Sequence, residues 1–76
     1  MKLDENLIAD AVLALLAAYS FNNGRAWKGY DFGILDRLFA QGYIHDCKDK
    51  NKSLYLTDAG LQRGQALAQA LFAERD

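Results

Sequence analysis

Apolar residues recur at helical spacing over residues 4–19, near the start of the chain. Asp4 and Glu5 open this segment, where acidic side chains complement the positive end of a helix dipole. The apolar stripe that begins at Leu7 widens until it covers nearly every face, and such a helix is normally buried on nearly every face. Because two further helices and a hairpin offer little cover in so short a chain, we expect part of this helix to contact a second copy.

The helical pattern stops over residues 20–30. An Asn-Asn-Gly run at residues 22–24 is a strong turn signal, and Gly29 adds another. The segment 25–28 between them is too short for a stable helix. It predicts either a short strand or a single helical turn, with Trp27 packed inward.

A second amphipathic helix is predicted over residues 31–41, with Asp31 as its N-cap. Gly42 supplies the left-handed residue at which many helices end, and Tyr43 or Ile44 would supply the hydrophobic contact that often follows. The buried side of this helix is expected to carry Phe32, Ile34, Leu35, Leu38 and Phe39.

Two strands are predicted next, because residues 43–48 and 53–57 alternate between apolar and polar side chains. Residues 49–52 would join the two strands in a polar turn. The pair would therefore form a hairpin with lysines at its tip.

A third helix is predicted after this hairpin, with Thr57 as its N-cap. Gly60, Gly64 and Ala68 fall on one line of this helix at four-residue spacing. An interior glycine costs about 1 kcal/mol against alanine, so we expect another element to approach closely along this line. The core face of the helix is expected to carry Leu61, Leu67, Ala68, Leu71 and Phe72.

The length of 76 residues is near the lower limit for a domain that folds alone, and such chains bury only about 60% of their unfolded surface. The single cysteine, Cys47, excludes an internal disulfide. Apolar residues nevertheless make up 51% of the sequence, whereas globular chains average roughly 45–50% on a slightly different residue set. This surplus favours a homo-oligomer.

Charge and segment length bear on the class of protein. The formal net charge is −1 and the pI is near 5.7, so no global field favours nucleic acid or an anionic membrane. The longest apolar run, residues 11–19, has nine residues, whereas a bilayer needs about 20. Acidic residues outnumber Lys2 ahead of this run, which is atypical of a signal peptide. We therefore expect a cytoplasmic protein with no membrane span and no cofactor.

Two stretches carry a resemblance to a known fold: Gly-Tyr-Ile at residues 42–44 and Leu-Thr-Asp-Ala-Gly-Leu at residues 56–61. Together with helix two they resemble the recognition helix, wing and closing helix of winged-helix proteins. The resemblance implies an α+β, abbreviated winged-helix-like domain over residues 1–76, in the order α–(short turn or strand)–α–β–β–α. It is abbreviated because a complete winged helix places another helix in the interval 20–30, which is too short for one.

Most of the chain also resembles a family of small, uncharacterised bacterial domains of unknown function. The residues that carry this resemblance are Gly-Arg-Ala-Trp-Lys at 24–28, Asp31, Leu-Asp-Arg-Leu at 35–38 and Gly-Tyr-Ile at 42–44. The family supports the architecture and implies no activity.

The lysine-tipped hairpin raises the question of DNA binding. Wing lysines would contact phosphates, which gives affinity without sequence information, while Arg37 and Gln41 would reach base edges from helix two. The candidate contacts are Arg25, Lys28, Arg37, Gln41, Lys48, Lys50 and Lys52. However, Asp31 and Asp36 lie on the same helix and would face phosphates unfavourably. The favoured interpretation is that the lysines keep the turn soluble and protect an exposed strand edge from aggregation.

Catalysis and metal binding have weaker support. His45 and Cys47 alternate onto one strand face, but side chains two apart on a strand are separated by about 6–7 Å, beyond hydrogen-bond reach. Adding Asp49 would give three metal ligands on one flexible hairpin, which is a weak signal. We therefore expect no enzyme activity, and interpret Cys47 as a small packed side chain and His45 as a surface residue of the strand.

The aromatic residues of three adjacent elements are interpreted as one core cluster rather than a ligand pocket, because so small a domain has little spare volume. They are Trp27, Phe32, Phe39, Tyr43 and Tyr55.

The sequence thus predicts a homodimeric interaction module, for which a further protein partner is also possible. Its interface is expected on helix one with helix three, at Val12, Leu15, Leu16, Tyr19, Leu67, Leu71 and Phe72. The alternative is a DNA-binding transcriptional regulator of winged-helix type, which would use helix 31–41 and the wing at 48–52.

Overall fold

A computed structural model describes residues 1–46 and 51–74 of the chain. Its elements are, in order, α1 (Glu5–Ala18), β1 (Arg25–Trp27), α2 (Phe32–Ala40), β2 (Ser53–Tyr55) and α3 (Asp58–Phe72). β1 and β2 form a two-stranded antiparallel sheet. The α+β class is therefore confirmed, and a short strand rather than a helical turn follows the first helix.

The sheet pairs its strands differently from the predicted hairpin. β2 aligns with β1, and Arg25 lies opposite Tyr55. The predicted first strand of the hairpin contributes a single bridge between Ile44 and Leu56, beside which the His45 amide donates to the Tyr55 carbonyl at 2.9 Å. β2 thus has β1 along one edge and this short segment along the other.

A tight turn leads the chain from α1 into β1. It uses positive φ angles of 48° at Asn22, 63° at Asn23 and 106° at Gly24, a region that Asn and Gly tolerate best. Phe21 and Arg25 close the turn with two main-chain hydrogen bonds of 2.7 Å. The predicted Asn-Asn-Gly turn is therefore confirmed.

The rest of the chain covers most of α1. Asp4 caps the helix by accepting hydrogen bonds from the amides of Asn6 at 2.9 Å and Leu7 at 3.3 Å. The buried residues on the inner side of the helix are Ala9, Leu13, Ala14, Leu16 and Ala17. Leu7 and Tyr19, near the two ends, are exposed. The apolar surface that α1 leaves uncovered is therefore concentrated at its ends.

The core is built from small and aliphatic side chains. Its buried members are Ala9, Leu13, Leu16, Ala17, Ala26, Leu35, Leu38, Ile44, Leu54 and Leu56. Of the five aromatic residues predicted to form a core cluster, Tyr43 packs against this core and the other four are exposed. The predicted aromatic core is therefore wrong.

The strands and α2 show why these aromatic side chains face outward. Ala26 and Leu54 occupy the buried positions of β1 and β2, so their neighbours Trp27 and Tyr55 point to the opposite face. On α2 the buried positions are Leu35 and Leu38, with Ile34 packed beside them, which leaves both phenylalanines of the helix exposed. The inward placement of Leu71 and Phe72 on α3 is wrong as well, because both are exposed near the end of the helix.

α2 ends and α3 begins at one hydrogen-bonded junction. Gly42 has a φ of +82°, and its amide bonds to the carbonyl of Phe39 while the Tyr43 amide bonds to that of Leu38, each at 3.0 Å. Thr57 caps α3 by accepting from the Gly60 amide at 3.0 Å, and its hydroxyl donates to the Gly42 carbonyl at 2.6 Å. Both predicted caps are therefore confirmed, and one threonine joins them.

We expect Thr57→Ala to lower the free energy of unfolding by about 2 kcal/mol, from one lost N-cap and one lost hydrogen bond. Thr57→Ser keeps the hydroxyl and should stay within about 0.5 kcal/mol of the wild type. Urea unfolding followed by circular dichroism measures both. Equal losses in the two variants would assign the effect to the methyl group and contradict the role of the hydroxyl.

Candidate functional site

Three of the basic residues singled out in the sequence lie together on the sheet. The Nε of Arg25 donates to the hydroxyl of Ser53 at 2.7 Å, and its guanidinium carbon lies 5.7 Å from the centre of the Tyr55 ring. The amide of Lys28 donates to the carbonyl of Lys52 at 2.9 Å, so the two lysines face each other across the end of the same strands. The structure thus gathers Arg25, Lys28 and Lys52 around β1 and β2.

Arg37 is held apart from this group by α1. Its guanidinium donates to Glu5 and to Asn6, each at 2.8 Å. These contacts tie α2 to the first turn of α1 beside an open depression of about 650 Å³, which Lys2, Leu3 and Ile8 also line. An arginine engaged in this way must give up both partners before it can reach a base edge. Gln41, the second predicted base-reading residue, is the exposed C-cap of α2.

Part of the predicted site lies outside the described residues, namely Cys47, Lys48, Asp49 and Lys50. His45 is exposed beside Tyr55. Within the part of the chain that the structure describes, no three side chains of His, Cys, Asp or Glu come together in a group that could hold a metal ion. None of the helices in residues 1–46 and 51–74 has the length and apolar character needed to cross a bilayer.

The residues predicted for a dimer interface divide into three groups. Leu16 is 2% exposed and belongs to the core of a single chain, so its side chain offers no surface to a second copy. Val12, Leu15 and Leu67 are half-buried. The exposed members are Tyr19 at 76%, Leu71 at 56% and Phe72 at 49%.

α2 presents a face that the sequence interpretation missed. Phe32 is 72% exposed and Phe39 is 45% exposed. Asp36, also exposed, stands between them at the spacing that places all three on one side of a helix. The spacing is visible in the sequence, but the amphipathic pattern predicts both phenylalanines on the buried side of the helix.

The strands present a second missed surface, which we call the outer sheet face: Arg25, Trp27, Ser53 and Tyr55. Trp27 is 62% exposed and Tyr55 is 49% exposed. The ring of Phe21 packs against Trp27, with 5.2 Å between the ring centres and an angle of 42° between the planes. Three-residue strands are too short for their alternation alone to show which face is buried.

Comparisons with known proteins agree with the family resemblance seen in the sequence. The model of a family described as Domain of unknown function (DUF6429) matches residues 4–74. The uncharacterized protein y4hR of Sinorhizobium fredii is 50% identical over 72 residues, which cover 95% of this chain and 97% of that protein. No solved structure matches the chain. By both its matched span and this identity, the chain belongs to the family of domains described as DUF6429, a small bacterial domain of unknown function.

Proposed function

We propose that this protein is a non-enzymatic interaction module that works as a homodimer in the cytoplasm. The observation that carries the proposal is the set of large apolar side chains left exposed near the ends of α1 and α3, namely Tyr19, Leu71 and Phe72. Leu71 and Phe72 are neighbours in the chain, and large apolar side chains exposed together on a surface are typical of protein interfaces.

The surface area of the chain supports association. One chain exposes 5657 Å², whereas a compact monomer of its mass, 8.5 kDa, would expose about 4,650 Å². The excess of about 1,000 Å² is close to the roughly 800 Å² that each partner buries in a standard protein interface. Exposed residues ahead of α1, such as Met1 and Leu3, account for part of this excess.

The side chains of α2 favour a protein partner over duplex DNA. Its exposed stripe consists of Phe32, Asp36 and Phe39, and a carboxylate between two phenyl rings is poorly matched to phosphates and base edges. The arginine of the helix, Arg37, is already paired with Glu5. This face supports a protein contact in addition to self-association.

Light scattering at micromolar concentration tests the proposal. We expect a species of twice the chain mass of 8.5 kDa. The double variant Leu71→Glu/Phe72→Glu should be a folded monomer, because both side chains are exposed in one chain and their charges would be buried in the dimer.

The matched control is Phe32→Glu/Phe39→Glu, which adds the same charge to the exposed face of α2 and should leave the dimer intact. A wild type that is strictly monomeric would refute the proposal. Loss of the dimer in the control variant alone would move the interface from α1 and α3 to α2.

The alternative function is a DNA-binding transcriptional regulator of winged-helix type, using helix 31–41 and the wing at 48–52. The lysine just before β2, Lys52, and its neighbour Lys28 support it. The DNA-binding alternative is less favoured because Arg37 would have to break its hydrogen bonds to Glu5 and Asn6 before it could contact a base. A mixed duplex added in the same scattering run decides: a complex that forms at low salt and dissolves as salt rises would favour this alternative.

A further inference from the structure

The outer sheet face leaves aromatic rings in solvent on a fixed support. The inward residues of the strands, Ala26 and Leu54, are 2% and 3% exposed and belong to the core. On the opposite face more than half of the Trp27 surface is accessible, as is about half of the Tyr55 surface. The two rings stand on adjacent strands at diagonal positions, since Trp27 lies opposite Ser53 and Tyr55 opposite Arg25.

Neighbouring side chains hold this face in one arrangement without covering it. Phe21 packs against Trp27, with ring centres 5.2 Å apart. Arg25 is held by its hydrogen bond to Ser53, which is buried beneath it, and by its position over the Tyr55 ring. Rings and a guanidinium held in this way lose little conformational entropy when a planar ligand stacks on them.

The sheet is also the basic part of an acidic protein. Residues 20–30 and 51–57, which contain both strands and their flanks, include Arg25, Lys28 and Lys52 and no Asp or Glu. The whole chain has ten acidic residues and a net charge of −1. These two segments therefore carry a formal charge of +3, and they contain both exposed rings.

We infer that the outer sheet face binds single-stranded nucleic acid. Bases stack on Trp27 and Tyr55, Arg25 contacts a phosphate from the same face, and Lys28 and Lys52 contact phosphates from the end of the strands. Exposed aromatic rings combined with basic side chains along a groove or sheet are how proteins bind single strands without sequence preference. A duplex does not satisfy this site, because its base faces are already stacked on one another.

Charge argues against a second copy of the chain as the occupant of this face. A two-fold dimer brings the same patch of both subunits together. Here Arg25 lies on that patch, and Lys28 and Lys52 follow at one end of the same strands. Self-association would therefore bring like charges together with no acidic residue of either strand between them. The same cations attract phosphates. The site uses none of the residues Tyr19, Leu71 and Phe72, so its test does not depend on the proposed homodimer.

Trp27 allows a direct test because it is the single tryptophan of the chain. Titrating the protein with a twelve-residue oligothymidylate should quench its fluorescence saturably. With three phosphate contacts, the affinity should fall about twentyfold between 50 and 200 mM salt. A duplex of the same length, and inorganic polyphosphate, which has the charges but no bases, should bind much more weakly.

Variants of the outer sheet face separate stacking from charge, with binding followed by the anisotropy of a labelled oligothymidylate. Trp27→Ala and Tyr55→Ala should each weaken binding about tenfold or more, whereas Trp27→Phe and Tyr55→Phe keep a ring and should recover most of it. Lys52→Glu should weaken binding and lower the salt dependence. Lys2→Glu makes the same change of charge outside the sheet and should have little effect.

Three results would overturn the inference. The first is no quenching by the oligothymidylate while circular dichroism shows the wild-type fold. The second is equal binding of polyphosphate, which would reduce the site to a general anion attraction. The third is a change in Trp27 fluorescence that depends on protein concentration alone, which would assign the face to self-association. Because these readouts do not use oligomeric state, a monomeric protein would leave them interpretable.

Discussion

Gly60→Ala is expected to lower the free energy of unfolding by about 3 kcal/mol or more, enough to unfold much of a domain this small. A Cβ at this position would overlap the carbonyl oxygen of Tyr43 and lie 2.6 Å from its carbonyl carbon and 2.9 Å from its Cα. These are main-chain atoms, and they are fixed by hydrogen bonds of 3.0 Å from Tyr43 to Leu38 and from Thr57 to Tyr43. Neither α3 nor Tyr43 can move away without breaking these hydrogen bonds.

Gly33→Ala is the matched control, because it makes the same change inside another helix. Its Cβ would lie 2.9 Å from Oδ2 of Asp31, the far end of a side chain that can rotate away. The gain in helix propensity, about 1 kcal/mol, then offsets the disturbed N-cap, and we expect a net change within about 1 kcal/mol. Urea denaturation measures both variants. If Gly60→Ala is as stable as the wild type, α3 does not approach Tyr43 this closely.

Local signals in the sequence were enough to predict the helices and their ends. The left-handed Gly42, the capping Thr57 and the Asn-Asn-Gly turn each depend on contacts within a few residues. The expectation that another element lies close to Gly60 and Gly64 is confirmed too. It followed from the cost of two glycines to helix stability, which is favourable only where a side chain would not fit. What these signals share is that each can be seen within a few neighbouring residues of the sequence.

Contacts between distant segments were the ones missed. β2 pairs with β1, so that Arg25 lies opposite Tyr55, which is far away in the sequence. The predicted hairpin would instead pair two segments that are adjacent in the sequence. The same pairing decides that Ala26 faces the core and Trp27 faces solvent. Arg37 pairs with Glu5 on another helix, and nothing near either residue indicates it.

The sequence therefore predicted the basic residues of the candidate surfaces but not their exposed rings. Charge alone selected Arg25, Lys28 and Lys52, and the structure brings these three together around the sheet. The rings beside them were placed in the core on the general tendency of aromatic residues to be buried. That tendency failed because aliphatic and alanine side chains of the helices, the strands and their flanks already fill the interior.

Gly64→Ala should lower the free energy of unfolding by about 2–3 kcal/mol, through overpacking between α1 and α3. A Cβ on Gly64 would lie 2.6 Å from the Cβ of Ala17, 2.9 Å from the carbonyl oxygen of Leu13 and 3.4 Å from its Cγ. To accept the methyl group the two helices must separate. Separation opens space around Leu13 and Leu16, which are almost fully buried in the core.

A double variant shows whether this contact, rather than a general loss of helix stability, is the cause. Ala17→Gly alone should cost about 1 kcal/mol or more, from lower helix propensity and a lost buried methyl group. Combined with Gly64→Ala, it removes the nearest atom from the clash, so the double variant should be more stable than the two losses added together by about 1 kcal/mol or more. The rescue stays partial because the carbonyl of Leu13 remains in place. Strictly additive losses in urea denaturation would mean that the two helices do not meet at these residues.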